Sequence, residues 1–451
     1  MLNRISGVSL LSAAAVALAV SPLAACAQGQ TADAPLAMAD QEVGQTFTVT
    51  MQDKPEPYTG PAVRNSPMIV SRDGRQLNLP EGFEATLLAG GLEHPRQALA
   101  LPNGDVLIAE QLPGYLTMLR DDDGDGRADW IGRHAAQFYA PYGLAYRSGE
   151  ILVADQQGLW TIAYQEGSLR PPYAQPRRKS ETPEDQRAPG RYMDGQEPLS
   201  ETGVFGLIQG HFNRDIALGP DGTIYVGVGS AGNLAVEPKP KCTIQAFNAS
   251  GGNQRTVASG MRNPCGLAVH PDTGELFALV QERDGLGDVL VPDFLTEVQE
   301  GGFYGFPYSY IGSNPQPGFA PMAPDKVEAA IVPDLLFESH SATMDLAFYN
   351  GHDQFPEKYR DGAFVAMKGS WNRSEPTGYK VVFVPFEDGE PKGGYENFAT
   401  GFWVGGEDRA EVWGRPSDVE VAPDGSLIVV DDTGGTVWRI TYSRPGNADD
   451  E

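Results

Sequence analysis

Two segments of this chain place complementary chemistry at short spacing. Met261-Arg262-Asn263-Pro264-Cys265-Gly266-Leu267 aims a guanidinium and an amide from one turn. Gln281-Glu282-Arg283-Asp284-Gly285-Leu286-Gly287-Asp288 packs carboxylates and carbonyl-rich loop backbone just after an apolar run. The first suits a polyanion, because a guanidinium donates paired, charge-assisted hydrogen bonds to carboxylate or phosphate. The second suits a hard divalent cation, which takes oxygen ligands. Few structural loops need both. A third segment, Asp121-Asp122-Asp123-Gly124-Asp125-Gly126-Arg127-Ala128-Asp129, has carboxylates at alternate positions around a Gly turn. That spacing wraps oxygens around Ca²⁺. Gly132 stands where a helix–loop–helix site would supply a bidentate Glu. The expectation is therefore a structural calcium on Asp121, Asp123, Asp125 and Asp129 in a hairpin loop, with an exposed acidic turn as the alternative. His211 opens His211-Phe212-Asn213-Arg214-Asp215, just before the apolar Ile216-Ala217-Leu218. A histidine projecting from a strand mouth could act as a general base, or could simply brace a neighbouring loop.

Short strands must position these residues. A turn followed by an apolar run recurs at Pro102-Asn103-Gly104, Ser148-Gly149, Pro220-Asp221-Gly222, Pro271-Asp272-Thr273-Gly274, Asp361-Gly362 and Pro423-Asp424-Gly425. Asn-Gly and Asp-Gly pairs tolerate the positive φ of a tight hairpin. Helical periodicity is nearly absent, and 54 Gly and 36 Pro suit strands and loops. Six similar hairpins predict an all-β, six-bladed β-propeller with long insertions over residues 76–443, a pair of stacked β-sandwiches being the alternative. The insertions are Gln165–Thr202, read as surface decoration, and the aromatic, Pro-rich Gly302–Ser341.

The N-terminus speaks to compartment. Arg4 precedes an apolar run from Gly7 to Val20, and Leu23-Ala24-Ala25-Cys26 follows. This pattern predicts an export signal over residues 1–26, with Cys26 lipidated as a lipoprotein anchor; an ordinary signal peptide with Cys26 incidental is the alternative. The expected location is the periplasmic face of a bacterial membrane. Residues 27–75 are Ala-, Gln-, Asp-, Thr- and Pro-rich and predict a flexible tether, and 444–451 an acidic tail. Cys242 and Cys265 could pair in an oxidising compartment or remain separate buried thiols. A net charge of −27 argues against nucleic-acid binding.

From about Leu92 to Thr441 the chain resembles the soluble dehydrogenases of sugars that use pyrroloquinoline quinone (PQQ), most closely the sorbosone dehydrogenase-like branch. The resemblance rests on an ordered set: His211 through Gly222; Ser259-Gly260-Met261-Arg262-Asn263-Pro264; Glu282-Arg283-Asp284 with Leu286-Gly287-Asp288; Gly301-Gly302-Phe303-Tyr304-Gly305; Gly369-Ser370-Trp371-Asn372-Arg373; Gly378 through Phe386; and Trp413-Gly414-Arg415-Pro416. It implies a six-bladed propeller, with His211 as the base that takes the substrate hydroxyl proton. It further implies that Arg262, Asn263, Lys368, Arg415 and Ser341 contact PQQ, and that the backbone of Glu282, Arg283 and Asp284 holds an active-site Ca²⁺. The chemistry is coherent: three PQQ carboxylates call for basic side chains, and Ca²⁺ can polarise a quinone carbonyl. The chain departs from the family at Ala140-Pro141-Tyr142-Gly143-Leu144, where glucose-oxidising members carry a Gln-containing loop, so Tyr142 is expected to take over part of that contact. It departs again at Phe306, where the related branch often has Trp. There is no Cys-x-x-Cys-His haem motif, so an external acceptor, a quinone or a cytochrome, is expected. Two rivals stand beside this reading: a calcium-dependent propeller lactonase, and a non-catalytic propeller that binds glycans or an envelope protein.

Overall fold

A computed structural model describes residues 40–52, 54–170 and 196–443. The described chain is almost entirely β, arranged in many small sheets. Six of these sheets have four or more strands, and each contains one of the six turns read from the sequence. The first sheet runs Pro95–Ala100, Val106–Glu110, Tyr115–Arg120, Trp130–Ala136, and the second Gly143–Arg147, Glu150–Ala154, Leu159–Ala163, Gln196–Pro198. The third runs Ile216–Leu218, Ile224–Val228, Thr243–Phe247, Arg255–Ser259, and the fourth Asn263–Val269, Leu276–Gln281, Phe294–Glu297, Leu335–Leu336. The fifth runs Thr343–Phe348, Gly362–Met367, Lys380–Glu387, Tyr395–Ala399, and the sixth Pro416–Val421, Leu427–Asp431, Thr436–Tyr442. The outermost strand of the sixth sheet is Phe83–Gly90, paired antiparallel from Phe83↔Tyr442 to Gly90↔Thr436. In every sheet the predicted turn joins the first two strands. Gly104, Gly222 and Gly425 sit there at φ 88°, 83° and 83°, where a side chain would be strained.

Six apolar cores separate consecutive sheets. Leu107, Ala109, Leu116 and Met118 of the first sheet pack with Ile151, Val153 and Ile162 of the second. Ile428, Val430 and Val437 of the sixth pack with Ala98, Val106 and Ile108 of the first. The cores between sheets two and three, three and four, four and five, and five and six follow the same plan. Fully burying each such Val, Leu or Ile contributes about 1.5–3 kcal/mol, which fixes the sheets against one another.

A polar belt joins the first strands. Gln97 donates to Asp215 and, at 3.1 Å, to Asp345, and accepts from Leu144 N at 2.7 Å. Asp215 also accepts from Leu267 N, and Asp418 accepts from Ala98 N at 2.7 Å. Asp345 and Asp418 share a hydrogen bond. All six first strands thus meet at one level, and contacts between neighbours advance together along them, Ser417 to Pro95 O then Glu420 to Ala100 N, and Asn213 to Pro264 O then Asp215 to Leu267 N, so these strands share a direction. Gln97, Asp345, Asp418 and Glu420 line a cavity of about 380 Å³. Burial raises these three carboxyls and that of Asp215, Asp418 to about 7 and Glu420 to about 8.

One expectation is revised and two open points are resolved. Residues 40–52 and 54–75 are laid over the sheets rather than hanging as a tether: Thr46–Phe47 adds a strand to the fifth sheet, and Met68–Ile69 pairs with Glu411–Val412. Gly302–Ser341 holds a two-stranded hairpin, the short helix Pro324–Glu328 and the fourth strand of the fourth sheet. Cys242 and Cys265 are separate buried thiols, and Cys265 donates to Thr343 O at 2.9 Å. Residues 1–26 with Cys26, the segment 171–195 and the tail 444–451 lie outside the described residues.

Candidate active site

Strand geometry collects the expected residues. In each sheet the start of the first strand pairs with the end of the second: Pro95↔Glu110, Gly143↔Ala154, Asn263↔Gln281, Thr343↔Met367, Pro416↔Asp431. Tyr142, Arg262, Asn263, Ser341 and Arg415 lie at such starts; Glu282, Arg283, Asp284 and Lys368 lie just past such ends. Because the first strands share a direction, all of these residues lie at one end, the mouth. The loop Asp121–Asp129 follows the third strand of its sheet and so lies at the opposite end.

His211 sits at the mouth with its backbone N donating to Ser230 O at 3.0 Å. Its Nδ1 lies 2.9 Å from the same carbonyl. A carbonyl only accepts, so Nδ1 carries the proton and Nε2 keeps a lone pair. Nε2 makes no hydrogen bond among the described residues. Burial and then the Arg262 charge push the imidazole down to about 4, so it is neutral near neutral pH. Gly229 makes room for this: a Cβ there would lie 2.1 Å from Asn263 Oδ1 and 2.8 Å from His211 Cβ.

Arg262 is buried beneath the 282–284 loop. Its Nη1 donates to Glu282 O at 2.9 Å, and its Nε and Nη2 donate to Asn233 O and Oδ1 at 3.0 and 3.2 Å. Asp284 O accepts from Asn233 Nδ2 and Arg283 Nη2, each at 2.9 Å. The Asp284 carboxylate accepts from Asn372 at 2.7 Å and lies 3.5 Å from His340 and 3.8 Å from Arg262. Burial opposes its charge, yet His340, Arg262 and Asn372 hold it below the usual range. A carbonyl oxygen has two lone pairs: Asp284 O uses both on these donors, whereas Glu282 O accepts only from Arg262 among the described residues, so the loop still offers backbone oxygen to a cation.

The second group gathers on Asp432. Lys368 and Arg96 both pair with its carboxylate, and His94 Nε2 lies 3.9 Å away. Arg415 donates to Lys368 O at 2.9 Å and Gly369 O at 2.7 Å, and Arg96 stacks 5.3 Å from the Tyr142 ring. Burial pushes Lys368 down to about 7, helped by Arg96 and Arg415. Asp432 goes the other way: despite burial, Lys368 and Arg96 hold it far below the carboxylate range. Three cations crowd one carboxylate, so the cluster carries surplus positive charge and favours an arriving anion.

Bonds connect the two groups: Asn263 donates to Gln281 at 3.0 Å, Gln281 to Thr343 O at 2.8 Å, and Lys368 N to Ala342 O at 2.9 Å. Buried polar atoms at this end without a partner among the described residues include Tyr142 OH, Asn263 Oδ1, Ser341 Oγ and Thr343 Oγ1. Each orphan costs about 1–3 kcal/mol, which a polar ligand would relieve. A polycarboxylate ringed by Arg96, Lys368 and Arg415 fits this mouth. Arg96, His94 and Asp432 escaped the sequence reading; their signal is position, since they too lie at a first-strand start and a second-strand end.

At the far end, Asp121, Asp123 and Asp129 offer oxygens within 4.8 Å of one another, while Asp125 turns its carboxylate to Arg127 N at 2.8 Å.

Comparison with known proteins follows this geometry. A family model described as TrAA12-like matches residues 325–443. An uncharacterized protein of Borreliella burgdorferi is 32% identical over 226 residues, 49% of this chain and 58% of that protein, so the chain spans less than two thirds of that relative. A stretch of 56 residues, 12% of this chain, is 45% identical to 7% of a pyrroloquinoline quinone-dependent pyranose dehydrogenase of Coprinopsis cinerea. The holo form of the pyranose dehydrogenase PQQ domain from Coprinopsis cinerea superposes with a TM-score of 0.64 at 20% identity, covering 85% of this chain and 99% of that one. The chain therefore shares the fold of that domain.

Proposed function

We propose that this protein is a six-bladed β-propeller, its ring completed by Phe83–Gly90, that oxidises a sugar with PQQ as cofactor. The substrate is an aldose, a sorbosone-like sugar or a related polyol. The observation that carries the reading is the gathering of Arg96, Lys368 and Arg415 at the same end as a neutral His211 whose Nε2 makes no hydrogen bond among the described residues. Similarity to the pyranose dehydrogenase PQQ domain supports it. When bound, PQQ would supply two-electron, hydride-accepting chemistry. Lys368, Arg415 and Arg96 would bind its carboxylates, and Tyr142, Asn263, Ser341 and Thr343 would satisfy its remaining polar edge. His211 Nε2 takes the proton from the hydroxyl on the carbon being oxidised, while Ser230 O holds the ring through Nδ1. The backbone of the Glu282, Arg283 and Asp284 loop, braced by Arg262 and Asn233, would hold an active-site Ca²⁺ that would polarise the quinone, and no step is routed through the ion. A structural Ca²⁺ on Asp121, Asp123 and Asp129 is part of the proposal, as are lipid anchoring at Cys26, a periplasmic location and an external quinone or cytochrome acceptor.

The test is reconstitution of the purified protein with PQQ, a binding titration, and an aldose and polyol screen with an artificial electron acceptor. His211→Ala is expected to keep PQQ affinity and lose about 10²- to 10⁴-fold in turnover. Wild-type kcat/KM should stay level at neutral pH and fall as pH approaches 4, where His211 protonates. Absence of PQQ binding, or full turnover in His211→Ala, would refute the assignment. Lactone hydrolysis without PQQ would favour the hydrolase rival.

A further inference from the structure

Residues 54–70 run over the mouth and touch the three loops that carry its charged residues. Tyr58 N donates to Leu286 O at 2.8 Å, just past the 282–284 loop. Asn65 N donates to Trp371 O at 3.0 Å, just past Lys368. Met68 N donates to Ala410 O at 2.8 Å, and Ser66 O accepts from Arg409 Nε at 2.7 Å, in the segment leading to Arg415. These loops belong to the fourth sheet, to the fifth, and to the connection from the fifth to the sixth.

Asn65 is the point where two of them meet. Its side-chain amide donates to Arg373 O at 2.6 Å and to Asp408 O at 2.5 Å. One planar NH₂ offers two donors at a fixed angle, so it sets the separation of the two carbonyls. Arg415 depends on the same loop, because it is held by Lys368 O and Gly369 O. A shift of residues 371–373 would carry Gly369, and with it the Arg415 guanidinium. Among the described residues, the 368–375 loop forms no strand of its own.

We infer that residues 54–70 form a positioning strap, with Asn65 as the positioning residue that fixes Lys368 and Arg415 for the bound carboxylates. This rests on the cofactor reading of the mouth. The strap contributes no atom to the reaction; it sets the spacing of the side chains that bind.

The test compares Asn65→Ala and Asn65→Asp, which keeps the shape but cannot donate, with Thr48→Ala. Thr48 Oγ1 donates to Gly393 O at 2.9 Å on the same N-terminal segment, against the fifth sheet's edge. Amide hydrogen exchange of the cofactor-free protein is expected to quicken at residues 371–373 and 408–412 in both Asn65 variants and to stay unchanged in Thr48→Ala. PQQ affinity is expected to fall about tenfold in the Asn65 variants, corresponding to the loss of two neutral hydrogen bonds, with the sugar KM unchanged. Unchanged exchange in those loops, in a protein that binds PQQ normally, overturns the strap alone. Quickened exchange with unaltered PQQ affinity overturns its positioning role. Quickened exchange in a protein whose wild type binds no PQQ brings down the cofactor reading, and the positioning role with it. If Asn65→Ala does not fold, Arg409→Ala, which severs the Ser66 contact, is read by the same two measures.

Discussion

Lys368→Met is the most informative single change, because it touches binding and proton linkage together. Lys368 shares Asp432 with Arg96 and is pushed down to about 7 by burial and its cationic neighbours. In the empty mouth it is half protonated near neutrality. A bound carboxylate would restore its full charge, so binding takes up a proton above pH 7. Affinity for PQQ should therefore be flat below that pH and weaken up to tenfold per pH unit above it, until the lysine of the complex itself titrates. Lys368→Met removes a charge-assisted hydrogen bond worth about 1.5–3 kcal/mol, or roughly ten- to hundredfold in Kd. It should also remove most of the alkaline slope. Arg96 still neutralises Asp432 in the variant, so the fold should survive. Fluorescence titration with PQQ between pH 6 and 9 measures both effects. Equal affinity and an identical pH profile for the two proteins would refute the argument.

Two further outcomes follow from the polar clusters. Calcium at about a hundred times its Kd should add about 2.7 kcal/mol of stability through the Asp121 loop. That gain should vanish in Asp121→Asn and Asp129→Asn with no change in PQQ affinity; a thermal melt without any calcium shift would mark the loop as an acidic turn. In the belt, the folded pKa values of Asp215, Asp345, Asp418 and Glu420 are raised, so the native state keeps protons that the unfolded chain releases above about pH 4. The contribution of Asp418 and Glu420 is complete below that pH and is lost as pH rises through about 7 and about 8, so the urea midpoint should be lower at pH 8 than at pH 5. Asp215→Ala, which takes this acceptor from Leu267 N and Ile216 N, should destabilise by about 2–6 kcal/mol in urea unfolding.

The repeat was legible because each sheet begins with the same local event, a turn that needs positive φ between two apolar runs. Asp361-Gly362 was the weakest instance, and there the connection is long, with a short helical turn at Glu357–Tyr359 before the second strand. The mouth was half legible. Arg262, Lys368 and Arg415 stood out by motif, whereas Arg96 hides inside the ordinary-looking His94-Pro95-Arg96-Gln97 and Asp432 inside a turn. Their roles depend on strand ends meeting across sheets, which no local pattern encodes. The N-terminal segment lacked periodicity because its partners are loop carbonyls far along the chain. The belt was equally hidden: Asp215, Asp345 and Asp418 each read as a lone acid at the edge of a strand.

The pairing of Phe83–Gly90 with Thr436–Tyr442 has a consequence for how the chain is made. A ribosome releases the first partner long before the second exists. Until residues 436–442 emerge, Leu88 and Ala89 have no lasting place against Val437, and the apolar face between the sixth and first sheets stays uncovered. Bringing such distant segments together costs on the order of 5 kcal/mol of chain entropy. The nascent protein is therefore exposed to aggregation until Thr436–Tyr442 has been made, and losing that strand would harm it more than losing an equal length from a surface loop.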